Sequence, residues 1–293
     1  RSESAGRSRL LPAVVVMQFL REAGTPRPEL EAKINDVSKK SQARLKSMQH
    51  GDGGFGWWSH DESDLEMTAL VLEGLYHAEK AGAEVDAHMR DRALKWAGDY
   101  AKVSTYWVLD LHKRARLAYA LSLHGVPASQ WSSLLPGLIA IEKDGLALSY
   151  VVLALDSPRG AATKDDTEFR KAAYDALMRL ATETDTALSW SDDMWYEPTA
   201  VALQAVTMME PDGARAGKVI RYLLNQRRGR VWTSTRDTAQ VLVAAIGYLR
   251  QGNALRPDFQ ATVQVNGRPV GAYDFGPGDL SKTGRTIVPI SGL

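Results

Sequence analysis

The residues best suited by type and spacing to chemistry are carboxylates close to the expected starts of helices. Asp192, Asp193 and Glu197 could hold Mg²⁺, since carboxylate oxygens are ligands that this ion prefers. Their spacing does not place them on one helix face, and no second acidic motif accompanies them. Paired acids also suit glycoside hydrolysis, although many such pairs arise by chance. We therefore expect no metal site, no catalytic residue and no cofactor.

Other catalytic signatures are missing from the sequence. The six histidines include no pair at i, i+4, and neither His-Glu-x-x-His nor Gly-x-Ser-x-Gly occurs, which argues against a metalloprotease or a serine hydrolase. Without cysteine, the chain has no disulfide, zinc–thiolate site, iron–sulfur cluster or cysteine nucleophile. These observations favour a protein that is not an enzyme.

The segment Gly51–Trp58 is the most unusual stretch of the sequence. It combines four glycines with three aromatic residues, which is typical of a tight loop with positive φ angles. It is not a phosphate loop, because no strand precedes it and Gly-Lys-Ser/Thr is missing. An exposed aromatic loop could bind sugar, but we favour a loop anchored by its own tryptophans. The residues expected to contact a neighbouring domain are Gly53, Gly54, Phe55, Trp57 and Trp58.

Composition and charge exclude further classes of protein. The 293 residues are 44% hydrophobic and 24% charged, as in an ordinary globular protein, and the net charge is +1. A charge so close to balance argues against nucleic acid as a partner. The longest apolar runs have the length of a soluble helix, so we expect no direct membrane insertion. Because the sequence begins Arg-Ser-Glu-Ser, we expect a piece of a longer chain.

The apolar periodicity predicts helices of two alternating kinds from Leu10 to Gln251. Helices that are apolar on all sides must be buried, whereas amphipathic helices lie outside them. The inner helices are predicted at Leu10–Arg21, Met67–Ala78, Arg116–Leu123, Leu146–Leu155, Thr199–Met209 and Thr238–Leu249, and the outer ones at Pro28–Met48, Val85–Tyr100, Ser129–Glu142, Asp165–Thr182 and Gly213–Arg227. Strict alternation predicts an all-α fold, an α/α toroid with one helical barrel inside another. A two-layer helical solenoid is the alternative.

A weak internal repeat accompanies this alternation. Each copy runs from a tryptophan through an acid to Thr-Ala and an apolar helix, and the copies are Gly56–Ala69, Ser189–Ala200 and Val231–Ala239. We expect the acid to satisfy free N–H groups at the helix start. The small Thr-Ala pairs would let the inner helices approach closely.

After Pro257 the apolar period changes from 3.6 to 2 residues. Phe259–Val265 and Arg268–Phe275 flank Asn266-Gly267, which predicts a β-hairpin, and Thr286–Ile290 could add a third strand. Two or three strands cannot bury a sheet alone. We therefore predict a toroid domain at residues 1–255, followed at residues 256–293 by a short β segment that belongs to an adjoining β domain.

The order of these elements resembles the thioester domain of bacterial α2-macroglobulin-like proteins. The segments that carry the resemblance are Ser8–Pro12, Leu45–Gln49, Asp52–Trp58, Met67–Leu70 and Trp232–Gln240, so that it spans most of residues 1–251. The resemblance implies a toroid inserted into a β domain. It also places the histidine that aids acyl transfer in thioester-bearing members near His112.

Thioester-bearing members of this family have a Cys-x-Glu-Gln motif before the first inner helix, with its cysteine ten residues ahead of a proline. The thiol and the glutamine carboxamide form a strained acyl donor. When ten residues are counted back from Pro12, the four positions of the motif fall on Ser2, Glu3, Ser4 and Ala5. Serine then stands at the thiol position and alanine at the glutamine position. The resemblance therefore implies the thioester-less branch, with a vestigial site at these four residues.

The resemblance further implies a non-catalytic scaffold or docking domain of a protease inhibitor, a protease trap that serves bacterial defence. Inhibition would be steric rather than covalent. The partners would be other domains of the same chain and, through the full-length protein, target proteases and other envelope proteins. The location would be the periplasm, with an inner-membrane anchor left open. The alternatives are an α/α-toroid carbohydrate-active enzyme using paired carboxylates and an isoprenoid cyclase or transferase.

Overall fold

A computed structural model describes residues 4–22, 27–103, 110–156, 164–190, 195–229, 231–251, 258–276, 279 and 282–288. These ranges contain eleven α-helices: α1 Ser4–Glu22, α2 Pro28–Met48, α3 Leu65–Lys80, α4 Ala87–Val103, α5 Leu111–Leu123, α6 Leu138–Ile141, α7 Gly145–Ala154, α8 Lys164–Arg179, α9 Glu197–Met209, α10 Ala214–Asn225 and α11 Thr235–Gln251. They also contain two antiparallel hairpins, β1 Thr182–Glu183 with β2 Leu188–Ser189, and β3 Phe259–Val265 with β4 Arg268–Phe275.

The odd-numbered helices form a closed inner ring. Each of them contacts the next odd-numbered helix, and α11 packs against α1. This contact between the first and the last inner helix confirms the predicted α/α toroid and excludes an open solenoid. The even-numbered helices lie outside the ring, with α2 against α1, α4 against α3, α8 against α7 and α10 against α9.

The distribution of apolar residues explains which helices lie inside. Every residue of α7 from Leu146 to Ala154 is buried, because apolar side chains surround the whole helix and leave no face for solvent. In α10 only Ala216, Val219 and Leu223 are buried. These residues are three or four positions apart, so a single face of α10 packs inward.

The prediction of a continuous outer helix at Ser129–Glu142 is wrong. This segment forms two 3₁₀ turns and the one-turn helix α6. Pro136 and Gly137 lie in its middle, where proline removes a backbone donor and disfavours helical geometry in the residue before it. The segment is anchored by the buried Trp131, whose Nε1 donates to the carbonyl of Val126 at 2.8 Å.

The two hairpins match the predictions from the sequence only in part. The hairpin β1–β2 begins at Thr182, which the sequence assigned to an outer helix. The hairpin β3–β4 forms at the predicted strands, with a register shift between Val263 and Gln264, and Asn266 at its turn has a φ of 51°, as an Asn-Gly turn requires. Residues 282–288 contain no strand, so the described part of the expected third strand is not one.

The buried core of the described chain ends with α11, since no residue after Ile246 belongs to it. The predicted domain boundary at residues 255 and 256 lies outside the described residues and stays a prediction. None of the eleven described helices is both long and apolar enough to cross a membrane.

Candidate functional site

Several inner helices begin on one face of the toroid, which we call the amino-terminal face. Lys113 in the first turn of α5 lies 4.0 Å from Glu66 in the first turn of α3. Arg236 at the start of α11 forms ion pairs with Glu66 and with Glu197, the first residue of α9. Because first turns contact first turns, α3, α5, α9 and α11 run in the same direction.

Charged side chains meet at the axis of the ring in what we call the axial ion cluster, formed by Glu66, Glu73, Arg116, Glu197 and Arg236. Arg116 is its centre and is buried. Its Nε and Nη2 donate to the two carboxylate oxygens of Glu73 at 2.6 and 2.9 Å, and its Nη1 donates to Oε1 of Glu197 at 3.0 Å. One arginine on α5 therefore connects α3 with α9.

Arg236 extends this cluster toward the amino-terminal face. Nε of Arg236 lies 2.8 Å from Oε2 of Glu197. The two atoms form an ion pair, but they are not aligned as a hydrogen bond. Nη1 of Arg236 forms an ion pair with Glu66. Gln240, one turn further along α11, donates to Oε2 of Glu73 at 3.3 Å. The cluster thus ties four inner helices together across the ring.

The axial ion cluster is stable because its charges occur together. Burial by itself would lower the pKa of Arg116, but the carboxylates of Glu73 and Glu197 raise it well above its ordinary value. An isolated buried charge would lower the free energy of unfolding by roughly several kcal/mol. Tyr150 packs beside Arg116, with 5.4 Å between the guanidinium carbon and the ring centroid, and burial raises the pKa of this phenol.

This arrangement gives Glu197 a structural environment rather than a catalytic one. Its side chain is fully buried, and each of its carboxylate oxygens faces an arginine, so neither is open to substrate or metal. Asp192 and Asp193 lie outside the described residues. Within the described ranges, no group of three or more His, Asp or Glu side chains could hold a metal ion. The geometry of Glu197 therefore does not favour either enzymatic alternative.

Sequence reasoning missed Glu73, Arg116 and Arg236. A signal for two of them was present, because Glu73 lies within one predicted buried helix and Arg116 begins another. A buried charge requires a partner of opposite sign. The sequence does not show which helices face each other, so the pairing itself could not be read from it.

The internal repeat corresponds to a recurring hydrogen bond. In each copy the threonine Oγ1 accepts from the backbone N–H of an aromatic residue ahead of the helix. The pairs are Phe55 with Thr68 at 3.0 Å, Trp190 with Thr199 at 2.9 Å, and Trp232 with Thr238 at 3.2 Å. Phe55 is thus the counterpart of Trp190 and Trp232. The internal repeat read from the sequence aligned Trp57 with these two tryptophans, which was wrong by two residues.

The acids of the repeat do not cap their own helices, contrary to expectation. Asp64 caps α3, while Glu66 and Glu197 point into the axial ion cluster. Asp237 accepts from the backbone N–H groups of Tyr196 and Glu197 at 3.1 and 3.0 Å. Asp237 therefore caps the neighbouring helix α9, an arrangement that depends on tertiary packing.

The glycine-rich segment Gly51–Trp58, which we call the aromatic loop, precedes α3 and so lies by the amino-terminal face. Gly53, Gly54 and Phe55 are buried, but Trp57 is 47% and Trp58 51% exposed. The expectation that its own tryptophans anchor this loop is therefore wrong. Carboxylates that accept from its backbone hold it instead.

Two aspartates hold the aromatic loop. Oδ2 of Asp61 accepts from the N–H groups of Trp57 and Trp58 at 2.8 and 3.1 Å. Oδ1 of Asp52 accepts from the N–H of Gly54 at 2.9 Å, and its Oδ2 accepts from Nε1 of Trp96 at 3.0 Å. Burial alone would raise the pKa of Asp52, but these hydrogen bonds lower it. Asp52 is therefore a charged anchor.

Close packing explains two glycines of the aromatic loop. Gly53 has a φ of +100°, and a Cβ there would lie 2.7 Å from the carbonyl oxygen of Arg92. A Cβ on Gly56 would lie 2.0 Å from Oδ1 of Asp61. Neither position accepts a side chain without displacement of the loop.

The start of α1 lies on the same face as the aromatic loop. Arg21, near the end of α1, donates to the carbonyl of Ala81, which directly follows α3. The two helices thus end together and run in the same direction. Of the predicted vestigial site, Ser4 and Ala5 are the first residues of α1, whereas Ser2 and Glu3 lie outside the described residues.

Known proteins resemble this chain in sequence. A family model described as the A-macroglobulin TED domain matches residues 7–100. The α2-macroglobulin of Thermotoga maritima is 27% identical over 297 residues, which cover 97% of this chain and 16% of that protein. Thioester-containing protein 1 allele S1 of Anopheles gambiae is 23% identical over 75% of this chain and 18% of that protein.

Solved structures share the fold of this chain. Native α2-macroglobulin of Escherichia coli, from domain MG7 to the C-terminus, matches with a TM-score of 0.64 and 18% identity, over 94% of this chain and 43% of that one. Salmonella α2-macroglobulin reacted with methylamine matches with a TM-score of 0.62 and 17% identity, over 95% of this chain and 18% of that one. This chain is similar to α2-macroglobulins in sequence and in fold.

Relatives of this kind are much longer than the chain, which spans only 16% of the Thermotoga α2-macroglobulin and 18% of the Anopheles protein. The chain therefore matches one part of each of these relatives. The amino-terminal face carries the aromatic loop and the start of α1, with Ser4 and Ala5.

His112 also lies on the amino-terminal face of the toroid. It belongs to the first turn of α5, and its Nδ1 is 3.7 Å from Oδ2 of Asp144. The Asp144 carboxylate raises the pKa of His112, although partial burial opposes this effect. Oδ1 of Asp144 caps α7 by accepting from the N–H of Ala147 at 2.9 Å. In this structure His112 therefore links the starts of α5 and α7.

Proposed function

We propose that this toroid is a non-catalytic scaffold and docking domain of a bacterial, periplasmic α2-macroglobulin-like protease inhibitor that lacks the reactive thioester. In this proposal the full-length protein traps proteases sterically. The observation that carries it is the complete absence of cysteine from a chain that has the fold of a thioester domain. A thioester needs a thiol, and these 293 residues contain none.

The register at the start of the toroid supports the same proposal. Ser2 and Ala5 stand where the resemblance places the cysteine and the glutamine of the thioester motif. Serine could form an ester only with an activated acyl group, and alanine offers no carbonyl group in its side chain. Both halves of the acyl donor are therefore missing from the expected positions.

The exposed aromatic loop supports the docking role. Trp57 and Trp58 lie about half exposed beside the starts of the inner helices, although large aromatic side chains gain free energy when they are buried at an interface. In our proposal a neighbouring domain of the same chain covers them. Fixed by Asp52 and Asp61, the loop presents these side chains in a defined orientation.

Treatment of the full-length protein with methylamine tests the absence of a thioester. We expect no change of mass and no new thiol, because no acyl donor is available. Salmonella α2-macroglobulin, treated in parallel, is the positive control, since its structure was solved after reaction with methylamine. A gain of mass by one methylamine together with a newly titratable thiol would refute the proposal.

Substitution of the exposed tryptophans tests the docking role. In the full-length protein, Trp57→Ser with Trp58→Ser should expose the toroid and increase the rate of its limited proteolysis. The matched control is Ile139→Ser, which removes an exposed apolar side chain from α6 in the outer layer. Equal proteolysis rates for the two variants would show that the aromatic loop contacts no neighbouring domain.

A further inference from the structure

The turn that follows α10 carries two exposed arginines without a counter-ion among the described residues. Between Asp212 and Asp237 the sequence contains seven cationic side chains and no acid. Arg227 and Arg228 are both exposed, and within the described ranges neither side chain forms an ion pair or a hydrogen bond. They therefore present positive charge directly to the solvent.

Two earlier cations of α10 are in a different situation. Nη1 of Arg215 lies 2.7 Å from Oε1 of Glu210, and Nζ of Lys218 lies 2.7 Å from Oε1 of Glu183. Acids outside the helix thus neutralise its first half. The positive charge that has no counter-ion is concentrated toward the end of α10 and in the turn beyond it.

Two exposed apolar side chains accompany the free arginines. Leu224 is 51% and Val231 53% exposed. The backbone N–H of Arg227 donates to the carbonyl of Leu224 at 3.3 Å, and that of Arg228 donates to the carbonyl of Val231 at 3.0 Å. We call these four residues the basic tip, a surface that combines positive charge with apolar side chains.

The basic tip is convex and is fixed to two helices. Gly229, at its turn, has a φ of +66°, and a Cβ there would meet no atom within 4 Å. The buried Trp232 follows the tip directly. Its Nε1 donates to the carbonyl of Leu223 in α10 at 2.8 Å, and its backbone N–H donates to Oγ1 of Thr238 in α11 at 3.2 Å. The tip therefore projects into solvent in a defined position.

We propose that the basic tip docks the toroid onto the surface of an anionic phospholipid membrane. A guanidinium group can bind a phosphate through two parallel hydrogen bonds, and an anionic membrane attracts cations near its surface. Leu224 and Val231 would enter the boundary between the headgroups and the acyl chains, where apolar side chains gain free energy. This contact is peripheral and needs no helix that crosses the membrane.

The shape and composition of the basic tip favour a membrane over other anionic partners. A stable protein interface buries about 800 Å² on each partner, from roughly 20–30 residues, whereas the tip offers four exposed side chains on a convex turn. A bilayer needs no complementary shape. Nucleic acid would use the two arginines but would leave the apolar side chains in water. The inference is independent of the proposed function, because it concerns the outer layer and not the aromatic loop.

Binding of the whole chain to lipid vesicles tests the proposal. We expect the chain to sediment with vesicles of phosphatidylglycerol and phosphatidylcholine in equal amounts, but not with vesicles of phosphatidylcholine alone. High salt should weaken this binding, because salt screens exposed charges. Equal binding to both kinds of vesicle, or no binding to either, would overturn the proposal.

Substitution of the two arginines tests the position of the site. Arg227→Gln with Arg228→Gln should lower the partition coefficient for the anionic vesicles about thirtyfold, since each cation close to such a surface contributes about fivefold. The matched control is Lys39→Gln with Arg44→Gln, which removes two exposed cations from α2 and should lower it less than about threefold. An equal loss in both variants would show that net charge, and not the basic tip, causes the binding.

Substitution of the apolar residues separates a membrane from a soluble anion. Leu224→Ser with Val231→Ser leaves the charge unchanged but should lower the partition coefficient about tenfold, because the apolar contact is lost. The control Ile139→Ser, which removes an exposed apolar side chain elsewhere in the outer layer, should leave it unchanged. Undiminished binding of the double variant would mean that any anion suffices, and would contradict docking onto a membrane.

Discussion

Arg116 illustrates how one side chain can decide the stability of a ring of helices. It is buried and donates three hydrogen bonds to Glu73 and Glu197, which belong to the neighbouring helix α3 and to α9 across the ring. Removing the guanidinium would leave the Glu73 carboxylate buried without a counter-charge, and Glu197 with Arg236 alone. Repulsion and desolvation would then both act against the folded state.

We therefore expect Arg116→Met to be strongly destabilising, although methionine fills a similar volume. The free energy of unfolding, measured by urea denaturation, should fall by about 3–5 kcal/mol. As a control, Arg221→Met removes an exposed arginine whose Nη1 donates to the carbonyl of Thr186 at 3.1 Å, and should cost less than about 0.5 kcal/mol. Similar losses for the two variants would show that the axial ion cluster is not important for stability.

At the scale of elements, the repeat joins an outer helix to the inner helix that follows it. Nε1 of Trp190 donates to the carbonyl of Leu177 near the end of α8, at 2.7 Å, and Nε1 of Trp232 donates to that of Leu223 near the end of α10, at 2.8 Å. The backbone N–H of each tryptophan binds the threonine of the next inner helix. Each tryptophan thus connects two successive elements of the toroid.

The register of the repeat also explains the charges at the ring axis. Two positions before the repeat threonine stand Glu66 in α3, Glu197 in α9 and Arg236 in α11. Equivalent positions in parallel helices of one ring lie at the same height along its axis. Because the third copy has a cation where the others have acids, Arg236 can form ion pairs with both glutamates.

Substitution of the repeat threonines tests the role of these contacts. Thr68→Val and Thr199→Val remove the acceptor for a buried backbone N–H at nearly constant volume, so each should lower the free energy of unfolding by about 1–2 kcal/mol in thermal or urea denaturation. The matched control is Thr207→Val, because the buried Oγ1 of Thr207 has no hydrogen-bond partner among the described residues. That change should be neutral or stabilising, and an equal loss at all three positions would contradict this role.

At the scale of the whole molecule, closure of the ring makes the first and the last inner helix interdependent. The helix α11 packs against both α1 and α9, and it contributes Arg236 and Gln240 to the axial contacts. The strands β3 and β4 pair with each other, and their residues do not belong to the buried core of the described chain. The toroid should therefore fold without the C-terminal segment.

Truncation tests the predicted boundary between the two domains. A chain of residues 1–251 should unfold cooperatively, with a melting temperature within about 5 °C of that of the whole chain, as measured by circular dichroism. A chain that ends at residue 230 lacks α11 and should lose cooperative unfolding, because the ring cannot close. Loss of cooperativity in the longer truncation would mean that the β segment is part of the toroid domain.

The sequence alone determined the two helical layers of this protein, whereas the contact between α1 and α11 decided that the ring closes. The inner helices have apolar residues on all sides, and the outer helices have them on one side only. This difference separates the two layers, since each helix must bury its apolar surface. This local information also placed the hairpin at Asn266-Gly267. The prediction was wrong at Ser129–Glu142, where Pro136 and Gly137 oppose the helical period, and at the aromatic loop, where backbone hydrogen bonds to aspartates override the burial of tryptophan.

Only the tertiary structure decided the arrangement of the charges. Glu73, Arg116 and Arg236 are far apart in the sequence, and their pairing depends on which helices become neighbours across the closed ring. The same holds for Asp237, which caps α9 rather than its own helix, and for His50, whose ring contacts Trp58 and Ser63. The apolar periodicity of the sequence shows which sides of a helix are buried. A hydrogen bond or an ion pair depends on distances that exist only after the chain has folded.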